Sequence, residues 1–233
     1  PGHYVPGKIH CRLQVGSDGW LYYATHRGKT TVTTDDYHYK GDWILRTRPE
    51  DGRTEVVARG PVGKQCLPCS VLDPERLLFY GGTQAGDRSD KRHLFFAYDL
   101  GGREVRYKGY GGPSRAFILA QSTGRVYFAP DQKGPLHRWD PAEGGPPKAI
   151  GPEVGLRAAT LETPDGAVYA VGPKDDPVLW RLNVTTEKVE RLGRAPVGAC
   201  TYVTTLDADP TGRFLYYVPG AHGNSREDGA AVV

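Results

Sequence analysis

Pro164-Asp165-Gly166-Ala167-Val168-Tyr169 is followed by Val178-Leu179-Trp180-Arg181-Leu182 and then by Lys188-Val189-Glu190-Arg191-Leu192. Asp-Gly before a β-rich run supplies the positive φ of a tight hairpin. Asn183-Val184-Thr185-Thr186 makes a second polar turn between the last two runs. Helix is excluded here and elsewhere. No three-to-four apolar spacing is sustained, and Gly or Pro interrupts nearly every window of helix length.

The same order recurs along the chain. Second strands are expected at Trp20-Leu21-Tyr22-Tyr23, Leu77-Leu78-Phe79-Tyr80, Val126-Tyr127-Phe128, Val168-Tyr169 and Phe214-Leu215-Tyr216-Tyr217. Most follow a turn signal: Ser17-Asp18-Gly19, Ser122-Thr123-Gly124, Pro164-Asp165-Gly166 and Pro210-Thr211-Gly212. The second copy uses Asp73-Pro74-Glu75-Arg76 and lacks Gly. Third strands are expected at 43–46, 94–98, 136–139 and 178–182, and fourth strands at 55–57, 104–107, 147–150 and 188–192. The spacing is 42 residues from Gly124 to Gly166 and 46 from Gly166 to Gly212. Four strands per repeat at this period predict an all-β fold, a β-propeller of four-stranded antiparallel blades. One twisted sheet cannot bury both of its apolar faces alone, so neighbouring blades stack and cover them.

The blades read as 9–58, 66–108, 115–150 and 157–192, with half a blade at 200–218, giving a partial propeller domain over 1–218. Residues 219–233 read as a polar loop or frayed tail. The propeller is expected to be incomplete, since an open ring would expose apolar faces and strand edges. The expected parent ring has six to eight blades. A protein partner or the remainder of a longer chain would complete it. The start at Pro1-Gly2-His3-Tyr4 and the absence of Met fit a processed or trimmed chain.

Composition narrows the function classes. Hydrophobic residues make up 38% and charged residues 24%, which suits a domain with a real core. The net charge is only +3, and the longest basic cluster, Lys91-Arg92-His93 after Arg88, is too small to track phosphates. Nucleic acid is therefore not an expected partner. No apolar run reaches membrane-spanning length. The sequence assigns no compartment; an extracytoplasmic or periplasmic one is compatible with it.

On these repeats the chain resembles the broad superfamily of YVTN, quinoprotein-like and SMP-30-like propellers. It is loosely similar to the virginiamycin-type and oligogalacturonate-type lyase propellers. The resemblance covers about 190 residues at the level of repeat architecture and implies the fold. Those lyases bind a metal and substrate at the central mouth through His residues. Because this fold hosts many activities, no catalytic position is carried across.

Candidate residues come from blade geometry. First strands line a propeller's channel, and the position nine residues before the hairpin Gly is His10, Arg115 or Arg157, with Leu67 in the second blade if Arg76 takes the Gly place. Two Arg and a His predict a cationic mouth for a carboxylate, phosphate or acidic sugar, because guanidinium matches planar oxyanions. The half blade has Cys200 nearest its start. The first blade carries a long insertion with His26, Asp35, Asp36 and His38. Strands reverse twice, so this loop should share a face with His10, and His222 also follows a second strand. These placements nominate His10 and His26 as catalytic groups and Arg115, Arg157 and His38 as substrate contacts. They nominate His10, His26 and His222 as ligands of a divalent metal.

Cys66-Leu67-Pro68-Cys69 has CxxC spacing, but no His follows it, which argues against haem attachment. Its pair enters a strand, so a local disulfide, buried free thiols and coincidence all remain open. Asn183-Val184-Thr185 fits the glycosylation acceptor pattern. No phosphate loop, dinucleotide fingerprint, nucleophile elbow or zinc-protease motif is present. The leading expectation is thus a non-catalytic propeller module that binds a partner or ligand within a larger protein or assembly. The alternative is a lyase or hydrolase acting on an anionic saccharide at the propeller mouth, with or without a metal.

Overall fold

The computed structural model describes residues 7–27, 39–85, 92–130, 134–220 and 233. It divides into two compact units, Pro1–Ser114 and Arg115–Val233. The elements described are all β-strands.

In the first unit, the first blade is built from β1 (Lys8–Ile9), β2 (Gln14–Val15), β3 (Leu21–His26), β4 (Trp43–Thr47) and β5 (Thr54–Arg59). Both β1 and β2 pair with β3, through Ile9↔Thr25 and Val15↔Leu21, so together they form one interrupted first strand. At the interruption the chain turns to the second blade. Cys11 Sγ donates to the Leu67 carbonyl at 3.2 Å, and Gln14 Oε1 accepts from Leu72 N–H at 2.9 Å. The second blade runs β6 (Gln65–Asp73), β7 (Leu78–Ala85), β8 (Leu94–Asp99) and β9 (Glu104–Tyr110), hydrogen-bonded in that order. Its inner strands are almost wholly buried, whereas β9 faces solvent. The core of this unit joins Tyr22, Ala24 and Ile44 of one sheet to Leu67, Phe79 and Phe96 of the other.

The second unit repeats the plan. One blade is β10 (Ile118–Ala120), β11 (Arg125–Phe128), β12 (Pro135–Trp139) and β13 (Lys148–Glu153). The next is β14 (Ala158–Ala159), β15 (Ala167–Val171), β16 (Val178–Asn183) and β17 (Val189–Arg194). They stack through Ile118, Tyr127, Leu136, Val168 and Leu182. A two-stranded sheet follows, β18 (Tyr202–Ala208) with β19 (Leu215–Gly220), packed through Val203, Leu206 and Tyr217 against Val171. Tyr217 and Val233 exchange both backbone hydrogen bonds at 3.0 Å, on the strand edge where the other sheets carry their third strands.

The hairpin glycines adopt the conformation their turns require. Gly19, Gly124, Gly166 and Gly212 all have positive φ. The second blade has no such glycine, and Leu77 takes φ 49° in its place. Leu77, not Arg76, is therefore the turn equivalent, and the corresponding first-strand position moves from Leu67 to Pro68.

Candidate functional site

First strands start, and second strands finish, at the same end of each blade. In the first unit this leading end collects His10, Cys11, His26, Asp42, Cys66 and Tyr39. His10 and His26 lie together here, their imidazole rings 5.1 Å apart, centroid to centroid. His10 Nδ1 is 2.8 Å from the Pro68 carbonyl. A carbonyl only accepts, so Nδ1 carries the proton and Nε2 is left outward of that bond. His26 Nε2 lies 3.8 Å from Cys66 Sγ.

Asp42 organises this end. It is 4% exposed and accepts from Thr25 Oγ1 (3.1 Å), Arg27 N–H (3.1 Å) and Leu67 N–H (2.9 Å). Its own N–H donates to the Gln65 carbonyl and its carbonyl accepts from Gly60 N–H, so one residue ties the first blade to the second. Glycine makes this approach feasible. A Cβ on Gly41 (φ +113°) would sit 2.7 Å from the Val62 carbonyl oxygen, and one on Gly60 (φ +58°) 2.6 Å from that of Lys40. Burial pushes the Asp42 carboxyl above its usual range, opposed by the donors that converge on it, Leu67 N–H first.

The thiols are inert for the same reason. Burial pushes both Cys11 and Cys66 up to about 12, with the Arg27 charge pulling Cys66 partly back. At neutral pH both are protonated and poor nucleophiles. All four cysteines are free, with Cys11, Cys66 and Cys69 buried and Cys200 half-buried. Tyr39 donates to the Gln65 carbonyl at 3.1 Å, and burial holds its phenol protonated.

Among the described residues, no group of three or more His, Cys, Asp or Glu side chains is arranged to hold a metal ion. His38 and His222, expected as substrate contact and metal ligand, lie outside the described residues. Asp35 and Asp36 do as well.

The second unit places Arg115, Arg157 and Tyr202 at the starts of its three successive first strands. Arg157 sits over the Tyr202 ring, its Cζ 3.8 Å from the ring centroid, and Nε donates to the Val203 carbonyl at 3.2 Å. Burial and then the positive charge of Arg115 depress the Arg157 pKa. Among the described residues, no carboxylate pairs with either guanidinium. Elsewhere the chain supplies one: Arg46–Glu55 at 2.7 Å, Arg125–Asp140 at 2.8 Å, Arg138–Glu143 and Arg181–Asp165 at 3.1 Å.

Spacing brought His10, Arg115 and Arg157 forward as candidates. It missed Asp42 and Tyr202. Asp42 follows Gly41 directly before a third strand, a local signal that no other blade repeats. Tyr202 was missed because the approach to the last hairpin is longer, which drew attention to Cys200 instead.

No protein-family model matches the chain, and no curated protein matches it. Solved structures do. The chain is similar to a structure of a nidogen/laminin complex, with a TM-score of 0.60 at 11% identity over 97% of this chain and 75% of that one. It is also similar to the Dos1 propeller, with a TM-score of 0.56 at 8% identity over 85% of this chain and 47% of that one. At such identities the likeness speaks to fold alone. Together with the successive four-stranded antiparallel sheets, it defines the chain as a β-propeller module. No helix among the described residues is long and apolar enough to cross a membrane.

Proposed function

We propose that this chain is a non-catalytic β-propeller module that binds a protein partner at the leading end of its blades. The observation that supports the non-catalytic part of this reading is the state of Asp42, Cys11 and Cys66, the carboxylate held by donors and the thiols buried. Asp42 accepts from Thr25 Oγ1, Arg27 N–H and Leu67 N–H, and both nearby thiols stay protonated. General acid–base chemistry needs a group free to exchange a proton with substrate near neutral pH, and nucleophilic chemistry needs an activated one. Here Asp42 and Cys11 serve instead to bind one blade to the next. A neighbour found within a nidogen/laminin complex adds support for protein binding as a use of this architecture.

The competing lyase reading is tested with an oligogalacturonate. β-Elimination would form a conjugated, ultraviolet-absorbing uronide. No absorbance increase above the protein-free rate is expected. A sustained increase that falls in His10→Ala or His26→Ala would overturn the non-catalytic reading.

A further inference from the structure

We propose that Arg157 and Arg115 form the docking point for the carboxylate side chains of an acidic segment on the protein partner. The inference rests on the binding reading above and names the chemistry of the ligand.

Arg157 is preorganised. Its backbone N–H donates to the Val171 carbonyl at 2.9 Å, Nε is engaged by the Val203 carbonyl, and Cζ lies over the Tyr202 ring. These contacts, with a side-chain hydrogen bond to Tyr202, hold the guanidinium in place. Arg115 lies at an exposed position at the start of the adjacent first strand. Two cations repel one another across a half-buried site, and an incoming carboxylate relieves that repulsion while accepting paired N–H bonds. The half-buried arginines 46, 125, 138 and 181 each meet a carboxylate from their own chain. Arg157 and Arg115 have none among the described residues, and the sequence leaves that role to a ligand. A guanidinium anchored in this way favours a planar anion, which it binds side by side.

The test is calorimetric titration of the full chain with a capped oligo-glutamate peptide. The comparison ligands are capped oligo-glutamine, inorganic phosphate and an oligogalacturonate. Oligo-glutamate is expected to bind, more weakly as salt is raised, and oligo-glutamine is not. Arg157→Gln should weaken the peptide by about tenfold or more, and Arg157→Lys should restore only part, because it keeps the charge and loses the fork. Arg115→Gln should cost less. It sits at an exposed position and carries the test if Arg157→Gln does not fold. Absent oligo-glutamate binding, or tighter binding of phosphate or oligogalacturonate at the same arginines, would overturn the inference. Unchanged peptide affinity in both variants would also overturn it while leaving the binding reading intact. The uronide assay addresses that reading separately.

Discussion

Asp42→Ala is expected to destabilise the first unit by about 3 kcal/mol or more. Three donors lose their acceptor: Thr25 Oγ1, Arg27 N–H and Leu67 N–H. Each buried donor left unsatisfied costs about 1–3 kcal/mol. The loss should appear as a lower urea midpoint and as faster amide exchange at Arg27 and Leu67. The pH dependence has a definite sign. Burial raises the Asp42 pKa in the folded state above its unfolded value. Its contribution is therefore complete below the ordinary carboxylate pKa. It is lost as pH rises through that value to the raised folded one. Asp42→Asn has no such titration, so wild type should lose stability relative to Asp42→Asn as pH is raised across this window. An Asp42→Ala variant with unchanged midpoint and exchange would mean that the carboxylate does not hold the blades together.

The second large effect lies in the core of the same unit. Phe96→Ala is expected to cost about 3–5 kcal/mol, the usual range for truncating a buried aromatic ring. Phe96 is fully buried, its ring 6.5 Å from that of Phe79, and its cross-strand partner is Gly81. The ring occupies the space a side chain on Gly81 would need: a Cβ there would fall 2.1 Å from Phe96 Cε1. Gly81→Ala alone should cost about 1–3 kcal/mol or more through overpacking. The double variant Gly81→Ala/Phe96→Leu should be more stable than the sum of the two single losses, since each change relieves the other. Strict additivity in urea denaturation would contradict this packing.

Much of the fold was legible because turn chemistry and strand composition act locally. Asp165-Gly166 marks a hairpin in the sequence, and Gly166 has φ +71° in the structure. The third strand expected at 43–46 is observed as Trp43–Thr47, and that at 178–182 as Val178–Asn183. Local chemistry fails where tertiary structure overrides it. Nothing in Glu75-Arg76-Leu77 predicts a leucine at positive φ; the hairpin imposes it. The first strand of the first blade is interrupted where Cys11 bonds to the second blade, a contact between residues more than fifty positions apart.

The candidate site divides in the same way. Repeat spacing placed Arg115 and Arg157 at matching positions because each blade begins its inner strand alike. It could not supply the Tyr202 face beneath Arg157, which belongs to another sheet 45 residues on. Nor could it reveal that Asp42, just before a third strand, accepts from Thr25, Arg27 and Leu67.

Hydrogen–deuterium exchange of the chain with and without the oligo-glutamate peptide tests the central claim most directly. The account predicts new protection at 115–119, 157–160 and 200–204, the starts of the first strands in the second unit. It predicts no change along β13 and β17. Protection confined to those outer strands, with the first-strand starts unaffected, would contradict it.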